Sequence, residues 1–269
     1  MAKFLTLNTH SWLGNEPEKD LEILGQKIIK ENYDVIALQE INQLKDSQVI
    51  TNSYYDLKNQ HPLHADNYAL KLVEYLQQKG ASYHFVWTYN HIGYDKYHEG
   101  VALLSKEPFS ETKSVLTSSV ADEFDYHTRR ALLGKTTVAG KQIWAISSHF
   151  SWWKDGFKAE WTRLEKSLQG ETLPLVIMGD FNNPENTPGH ELVLASPLGL
   201  KDSHLAAREV TGGPTILQDI DGWENNDKAL RIDFIFVSQQ LEVKESHVLF
   251  DGKKSPLISD HFGVECVIK

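Results

Sequence analysis

The stretch LVIMGDFNN at 175–183 decides how the rest of the chain is read. An apolar run without polar interruption describes a strand covered on both faces, so layers must lie above and below it. Gly179 ends the run, which leaves Asp180 at the strand mouth and lets Asn182 project from the turn beyond. Asn183-Pro184 then stops the strand from continuing. A short acid and a carboxamide in that position make either a simple turn or one part of a site.

Four other apolar runs end the same way. FLTLNTHSW delivers Asn8, DVIALQEI delivers Glu40, IWAISSHF delivers His149, and LISDHFGVECVI opens with Asp260-His261. Polar groups at strand tips are how a scaffold gathers ligands from distant parts of a chain. Glu40 reads as the main ligand of a hard divalent cation, with a neutral oxygen from Asn8 beside it and Asp260 within reach. Magnesium takes oxygen ligands, commonly one or two carboxylates plus water and substrate phosphate. Each histidine has a candidate acid: Glu99 in YHEGVALLSK for His149, and Asp233 in RIDFIFVS for His261. An acid on one ring nitrogen fixes the tautomer and frees the other nitrogen for proton work near neutral pH. Arg129 in HTRRALL can clamp phosphate oxygens, with its neighbour Arg130 the competing choice.

Outward from these segments, strands are expected at 3–8, 33–39, 82–88, 101–105, 130–138, 142–148, 173–179, 231–237, 244–250 and 261–268. Helices are expected at 18–31, 66–79, 154–169 and 188–196, and a long polar connection at 41–65. Many strands with interspersed helices and no strict alternation describe sheets packed on each other with helices outside. No repeat or linker divides the chain, so 1–269 reads as one domain. The lone Cys266, in an apolar run, excludes an internal disulfide and reads as a buried inert thiol. No secretion signal and no run of about 18 apolar residues is present, so a cytoplasmic protein without a membrane partner is expected. The net charge of −10, without a Lys/Arg block, weighs against a general nuclease. Gripping a nucleic-acid backbone without sequence preference draws most of its affinity from phosphate neutralisation.

In their order, LNTHSW, LQEI, EGVALLSK, TRRALL, SSHF, GDFNN, RIDFIFV and SDHFG resemble the motifs of the endonuclease/exonuclease/phosphatase superfamily. The resemblance runs from residue 4 to residue 268. It implies a four-layer α/β/β/α sandwich of the deoxyribonuclease I kind and phosphoester hydrolysis with magnesium or manganese. It implies metal ligation by Asn8, Glu40 and Asp260, and catalytic duties for Glu99, Arg129, His149, Asp180, Asn182, Asp233 and His261. Asp180, oriented with Asn182, would position the attacking water; which group takes its proton stays open. Glu99 and His149 match the deoxyribonuclease I and sphingomyelinase branches rather than the exonuclease III branch.

The substrate is read from aromatic residues. Trp152, Trp153, Phe157 and Trp161 follow His149, His10 and Trp12 follow Asn8, and Trp223 lies in a polar stretch before Asp233. Rigid aromatic faces beside a phosphate site suit sugar rings or nucleobases. Trp87 and Trp144, inside strand runs, are expected in the core. The chain as a whole resembles small cytosolic members from low-GC Gram-positive bacteria, such as maltose 6'-phosphate phosphatase. A phosphomonoesterase for a small phosphorylated metabolite, held by His10, Trp152 and Trp153, is therefore expected. The alternatives are a deoxyribonuclease I-like nuclease and a catalytically silent binding module.

Overall fold

The computed structural model describes residues 1–51 and 61–269. Two mixed sheets stack face to face with helices on both outer sides, the α/β/β/α order expected. The first sheet holds β1 (Ala2–Asn8), β2 (Val35–Leu44), β3 (His84–Gly93), β4 (Tyr97–Ser105), β10 (Glu209–Thr211), β12 (Val243–Leu249) and β13 (Gly263–Ile268). Their lateral order is β10-β12-β13-β1-β2-β4-β3. The second holds β5 (Glu111–Leu116), β6 (Arg130–Val138), β7 (Lys141–His149), β8 (Leu175–Asp180), β9 (Leu200–Asp202) and β11 (Asp233–Ser238). Their order is β5-β6-β7-β8-β11-β9.

Side-chain alternation explains the layering. In β2, Val35 and Ala37 face the other sheet, while Ile36 and Leu38 face the helices α1 (Pro17–Glu31) and α2 (Tyr68–Gln78). In β8, Val176 and Met178 point between the sheets; Leu175 and Ile177 point to α3 (Phe157–Ser167) and α4 (Pro188–Leu194). A short α5 (Ser203–Ala206) packs against β12 and the end of β11. Trp87 and Trp144 are fully buried, and so is Cys266, whose thiol burial pushes up in pKa.

Register places the chemistry. His149 stands opposite Asp180 in the parallel pairing of β7 with β8, and Asp180 stands opposite Asp233 in the antiparallel pairing with β11. Three adjacent strands of the second sheet therefore end in one row of ionisable groups. The first sheet supplies Asn8 and Glu40 from the parallel pair β1 and β2.

Several boundaries differ from the sequence reading. Glu40 is not at a strand end: β2 continues to Leu44, and a bulge between Leu38 and Ile41 shifts its register against β4. Glu40 sits in that bulge at φ 53, a left-handed conformation that only the surrounding pairing makes tolerable. The polar connection expected from 41 accordingly begins later, and its residues 52–60 lie outside those described. The strands expected at 82–88 and 101–105 are one long hairpin, β3 and β4, reaching through Tyr89 and Glu99. β5, β9, β10 and α5 were not anticipated: β9, β10 and α5, of three or four residues, carry too little periodicity, and β5, ETKSVL, is polar and half-buried along its length.

Gly179 is the tightest point of the row. It has φ +146, and a Cβ built there would lie 1.9 Å from the Ser148 carbonyl oxygen. Gly179→Ala should therefore cost about 3 kcal/mol or more, because both the backbone and the neighbouring strand must move. Urea unfolding checks this; a midpoint equal to that of the wild type would contradict the packing described.

Candidate active site

At the row's centre is the buried carboxylate of Asp180. Its Oδ2 lies 3.4 Å from His149 Nε2, 3.7 Å from His261 Nε2 and 3.2 Å from Asn8 Nδ2. Its Oδ1 accepts the Asn182 N–H at 2.8 Å. Asn182 is itself in the left-handed region, at φ 49, the sharp turn that GDFNN requires. Burial, reinforced by nearby Asp233 against the pull of His261, pushes Asp180 up to about 7. Such a carboxylate can gain or lose a proton at neutral pH.

The two histidines beside it differ in charge. His261 Nδ1 donates to Asp233, at 3.0 Å to Oδ2 and 3.2 Å to Oδ1. Burial disfavours the His261 cation, but Asp233 and Asp180 outweigh it and lift its pKa well above the ordinary value. For His149, burial and then the charges of Arg129 and His261 lower the pKa well below normal. One imidazolium and one neutral imidazole thus flank one carboxylate.

The Glu99–His149 pairing expected from sequence is not formed. Glu99 Oε1 lies 3.4 Å from His91 Nε2, and His91 Nδ1 is 3.1 Å from the Thr128 carbonyl. The reason is register: His91 and Glu99 are direct cross-strand partners in the β3/β4 hairpin. Burial alone would raise the Glu99 pKa; His91, with Arg129 and His10, overrides it and holds Glu99 below the usual carboxylate range. Arg129 is buried beside this pair, and its Nε and Nη1 have no hydrogen-bond partner among the described residues. Arg130 instead belongs to β6, opposite Leu116.

A second acidic corner lies next to the first. Glu40 Oε1 accepts Asn8 Nδ2 at 2.8 Å, so one amide nitrogen bridges Glu40 and Asp180. The neutral oxygen expected from Asn8 faces the His10 N–H instead, at 3.3 Å, because two buried carboxylates draw the amide donors to themselves. Ser259 Oγ donates to the Asn8 carbonyl at 2.8 Å, tying the Asp260-His261 segment to β1. His10, expected to bind substrate, has Nδ1 3.4 Å from Glu40 Oε2 and 3.7 Å from Asp260 Oδ2. Burial opposes its charge, yet Glu40 and Asp260 raise it to about 9. Burial, with Glu99 and Asp260, raises Glu40.

The donor set of this corner fits a hard divalent cation. Two carboxylates face it, and among the described residues the buried Glu40 Oε2 is met only by the His10 imidazolium, at 3.4 Å. Asp180, Asp233 and His261 also lie close enough to share an ion. There, however, the Asp233 oxygens are occupied by His261 Nδ1. An oxygen-seeking magnesium ion suits Glu40 and Asp260 better.

Glu40, His91, Glu99, Arg129, His149, Asp180, Asn182 and His261 line a cleft of about 890 Å³. Tyr94, Tyr126, Trp152, Trp153 and Trp223 form its aromatic walls. Trp153 is 42% exposed. Trp152 is packed against Gly222, where an added Cβ would meet its ring at 2.3 Å. Trp223 Nε1 donates to Asn182 Oδ1 at 2.8 Å, which fastens the 221–226 loop to the turn after Asp180. Phe157 and Trp161, expected at the site, are buried with Phe150 and Phe181 under α3. Trp12 packs edge-on against Tyr68 and donates to the Asp66 carbonyl, away from the cleft. His91, Tyr94 and Asp221, whose carboxylate accepts the Tyr94 hydroxyl, were missed. Counting outward from the turn at 94–96 would have found His91 opposite Glu99.

A sequence model of the endonuclease/exonuclease/phosphatase family matches residues 10–261, and the chain belongs to that family of phosphoesterases. An endonuclease/exonuclease/phosphatase family protein from Leptotrichia buccalis is 31% identical, with all of both chains covered and a TM-score of 0.87. A Bacteroides thetaiotaomicron mannosyl-6-phosphatase shares the fold at 17% identity, TM-score 0.72, again over all of both chains. D. rerio TDP2, solved with a single-strand DNA product, does so at 15% identity and TM-score 0.68, over 100% of this chain and 98% of its own. No curated protein matches the chain in sequence.

The Asp233–His261 pair gives a pH prediction. The wild-type imidazolium persists until pH rises through its elevated pKa, and activity should fall along that alkaline limb. In Asp233→Asn the limb should move down by about one pH unit or more, since an adjacent carboxylate no longer holds the proton. The turnover number should drop about a hundredfold. A pH–rate profile with an unmoved alkaline limb would remove His261 from the proton-bearing role.

Proposed function

We propose that this phosphoesterase is a divalent-metal-dependent phosphomonoesterase for a small phosphorylated sugar, with a phosphorylated disaccharide such as maltose 6'-phosphate the favoured case. The observation carrying this is the cleft wall: aromatic faces around the buried ionisable row. Aromatic faces bind the apolar side of a sugar ring. The net charge of −10 supports a substrate with one phosphate over a polyanion. A sugar phosphatase of the same fold, the mannosyl-6-phosphatase, is consistent with it.

Arg129 and the His261 imidazolium, both lining the cleft, take the non-bridging phosphoryl oxygens. The neutral His149, beside Asp180, donates a further hydrogen bond to the same group. Asp180, poised near neutrality, takes a proton from the water that attacks phosphorus in line. The Asn182 N–H fixes the orientation of that carboxylate. Glu40 and Asp260, aligned by Asn8 and Ser259, would hold magnesium or manganese. When bound, such an ion polarises a phosphoryl oxygen and offsets charge developing in the transition state. The new bond forms from water oxygen to phosphorus, the bond to the sugar oxygen breaks, and the sugar leaves as its alcohol toward the open cleft, where solvent supplies its proton. His91 and Glu99 hold charge balance around Arg129 rather than touching substrate.

The test is a panel of sugar phosphates, nucleotides, an aryl phosphate and plasmid DNA, with magnesium and with EDTA. Inorganic phosphate should appear from a sugar phosphate only without EDTA, and the plasmid should stay intact. Trp153→Ala should raise KM for the sugar phosphate about tenfold, leaving the aryl phosphate nearly unchanged, as loss of one stacked ring predicts. Rapid plasmid nicking with no phosphate released from any sugar would replace this reading with a nuclease.

A further inference from the structure

Behind β4, on the face opposite the catalytic cleft, stands a second group of metal-capable side chains. Alternation along β4 sends Glu99 toward His91 and its neighbour His98 to the other side of the sheet. There His98 meets His61 and His64. One ligand nitrogen from each of the three rings lies within 4.8 Å of the others. His61 Nε2 and His98 Nδ1 are 3.0 Å apart, and their ring centroids are separated by 3.9 Å. His64 and His98 are buried, and His61 is half-buried.

The surroundings hold these rings in place. His64 Nδ1 lies 2.8 Å from the Leu44 carbonyl, so that nitrogen carries the proton and Nε2 keeps the lone pair. A second-nitrogen bond to a backbone carbonyl is the usual way a metal-ligating imidazole is oriented. The backbone between His61 and His64 is fixed by Gln43, whose Nε2 donates to the Pro62 carbonyl at 2.8 Å. Its Oε1 accepts the His64 N–H at 3.0 Å and Asn67 Nδ2 at 3.1 Å. Tyr89 closes one side, its ring centroid 4.5 Å from that of His61 and 5.3 Å from that of His98. Two nitrogens in a tetrahedral zinc site, each about 2.0–2.1 Å from the ion, lie about 3.3 Å apart. The 3.0 Å separation of His61 and His98 needs only a small opening to reach that value.

We infer that His61, His64 and His98 form a second divalent-metal site, for a zinc-class ion, that clips the connection before α2 to strand β4. The all-nitrogen donor set excludes magnesium, which takes oxygen, and favours zinc, cobalt, nickel or copper. Three imidazoles leave one tetrahedral position for water, on the side where His61 reaches the surface. The site is separate from the catalytic ions: Glu40, Asp260 and Asp180 contribute nothing to it.

The test titrates zinc into chelator-stripped protein held in excess magnesium, followed by calorimetry, with cobalt absorption reporting geometry. Wild type and Glu40→Gln should each take up one equivalent of zinc, raising the melting temperature, and cobalt should give a tetrahedral spectrum. His61→Ala removes a half-buried ring with little risk to folding, and should weaken zinc binding by about a hundredfold or more, since even outer-shell changes reach that size. His98→Ala should do the same, with circular dichroism confirming that both variants fold. Zinc uptake that is absent in the wild type, unchanged in His61→Ala, or abolished only by Glu40→Gln would each overturn the site.

Discussion

Everything at the catalytic face depends on keeping the Asp180 carboxylate buried opposite another carboxylate. Asp180 and Asp233 are direct partners across β8 and β11, both withdrawn from water. Burying one uncompensated charge costs several kcal/mol, and two facing each other cost more. The compensation is built from strand ends on both sheets. His261 enters between the two acids, His149 arrives on β7, and the Asn8 amide reaches across from β1 to Asp180 and Glu40. No single element holds this arrangement, so the site exists only in the closed sandwich. Gly179 sets how closely β7 and β8 approach at that point, and the depth at which Asp180 sits follows from it.

The same need explains the strain nearby. Glu40, Asn182 and His10 all adopt left-handed backbone conformations, unusual for residues with side chains. Each sits where an acid, amide or imidazole must turn out of regular strand geometry to face the cluster. Strain of this kind persists only where surrounding structure enforces it. Here the enforcing structure is the pairing of β2 with β4 and the turn after β8. A protein acidic overall thus keeps two basic groups, Arg129 and His261, buried in the cleft.

Much of the site was legible in sequence because strand ends write themselves as apolar runs followed by a polar residue. LVIMGD and IWAISSH placed Asp180 and His149 at the ends of their runs, RIDFIFV placed Asp233 at the entry to its run, and the Asp233–His261 pairing was proposed because a histidine that handles protons needs an acid on its other nitrogen. What escaped was decided by partners outside the local string. The bulge at Glu40 arises from its pairing with β4, and the Glu99–His91 contact arises from hairpin register. Phe157 and Trp161 show the opposite error. Their spacing of four, followed by three to Leu164, marks an inward helix face, but nearness to His149 in sequence suggested the cleft instead. Asn8 was found in the right place with its amide turned the other way, because the demand for donors between two carboxylates belongs to the folded site alone.

The central claim is a division of labour between two adjacent corners: Glu40 and Asp260 for the metal, Asp180 with His149, His261 and Arg129 for water and phosphate. A crystal structure with manganese and a phosphate analogue, read by anomalous scattering, tests it most directly. The account predicts manganese bound to Glu40 and Asp260, with His10 displaced, and the analogue's oxygens on Arg129, His149 and His261. Manganese held solely by Asp180, Asp233 and His261, or an analogue bound away from Arg129, would contradict it.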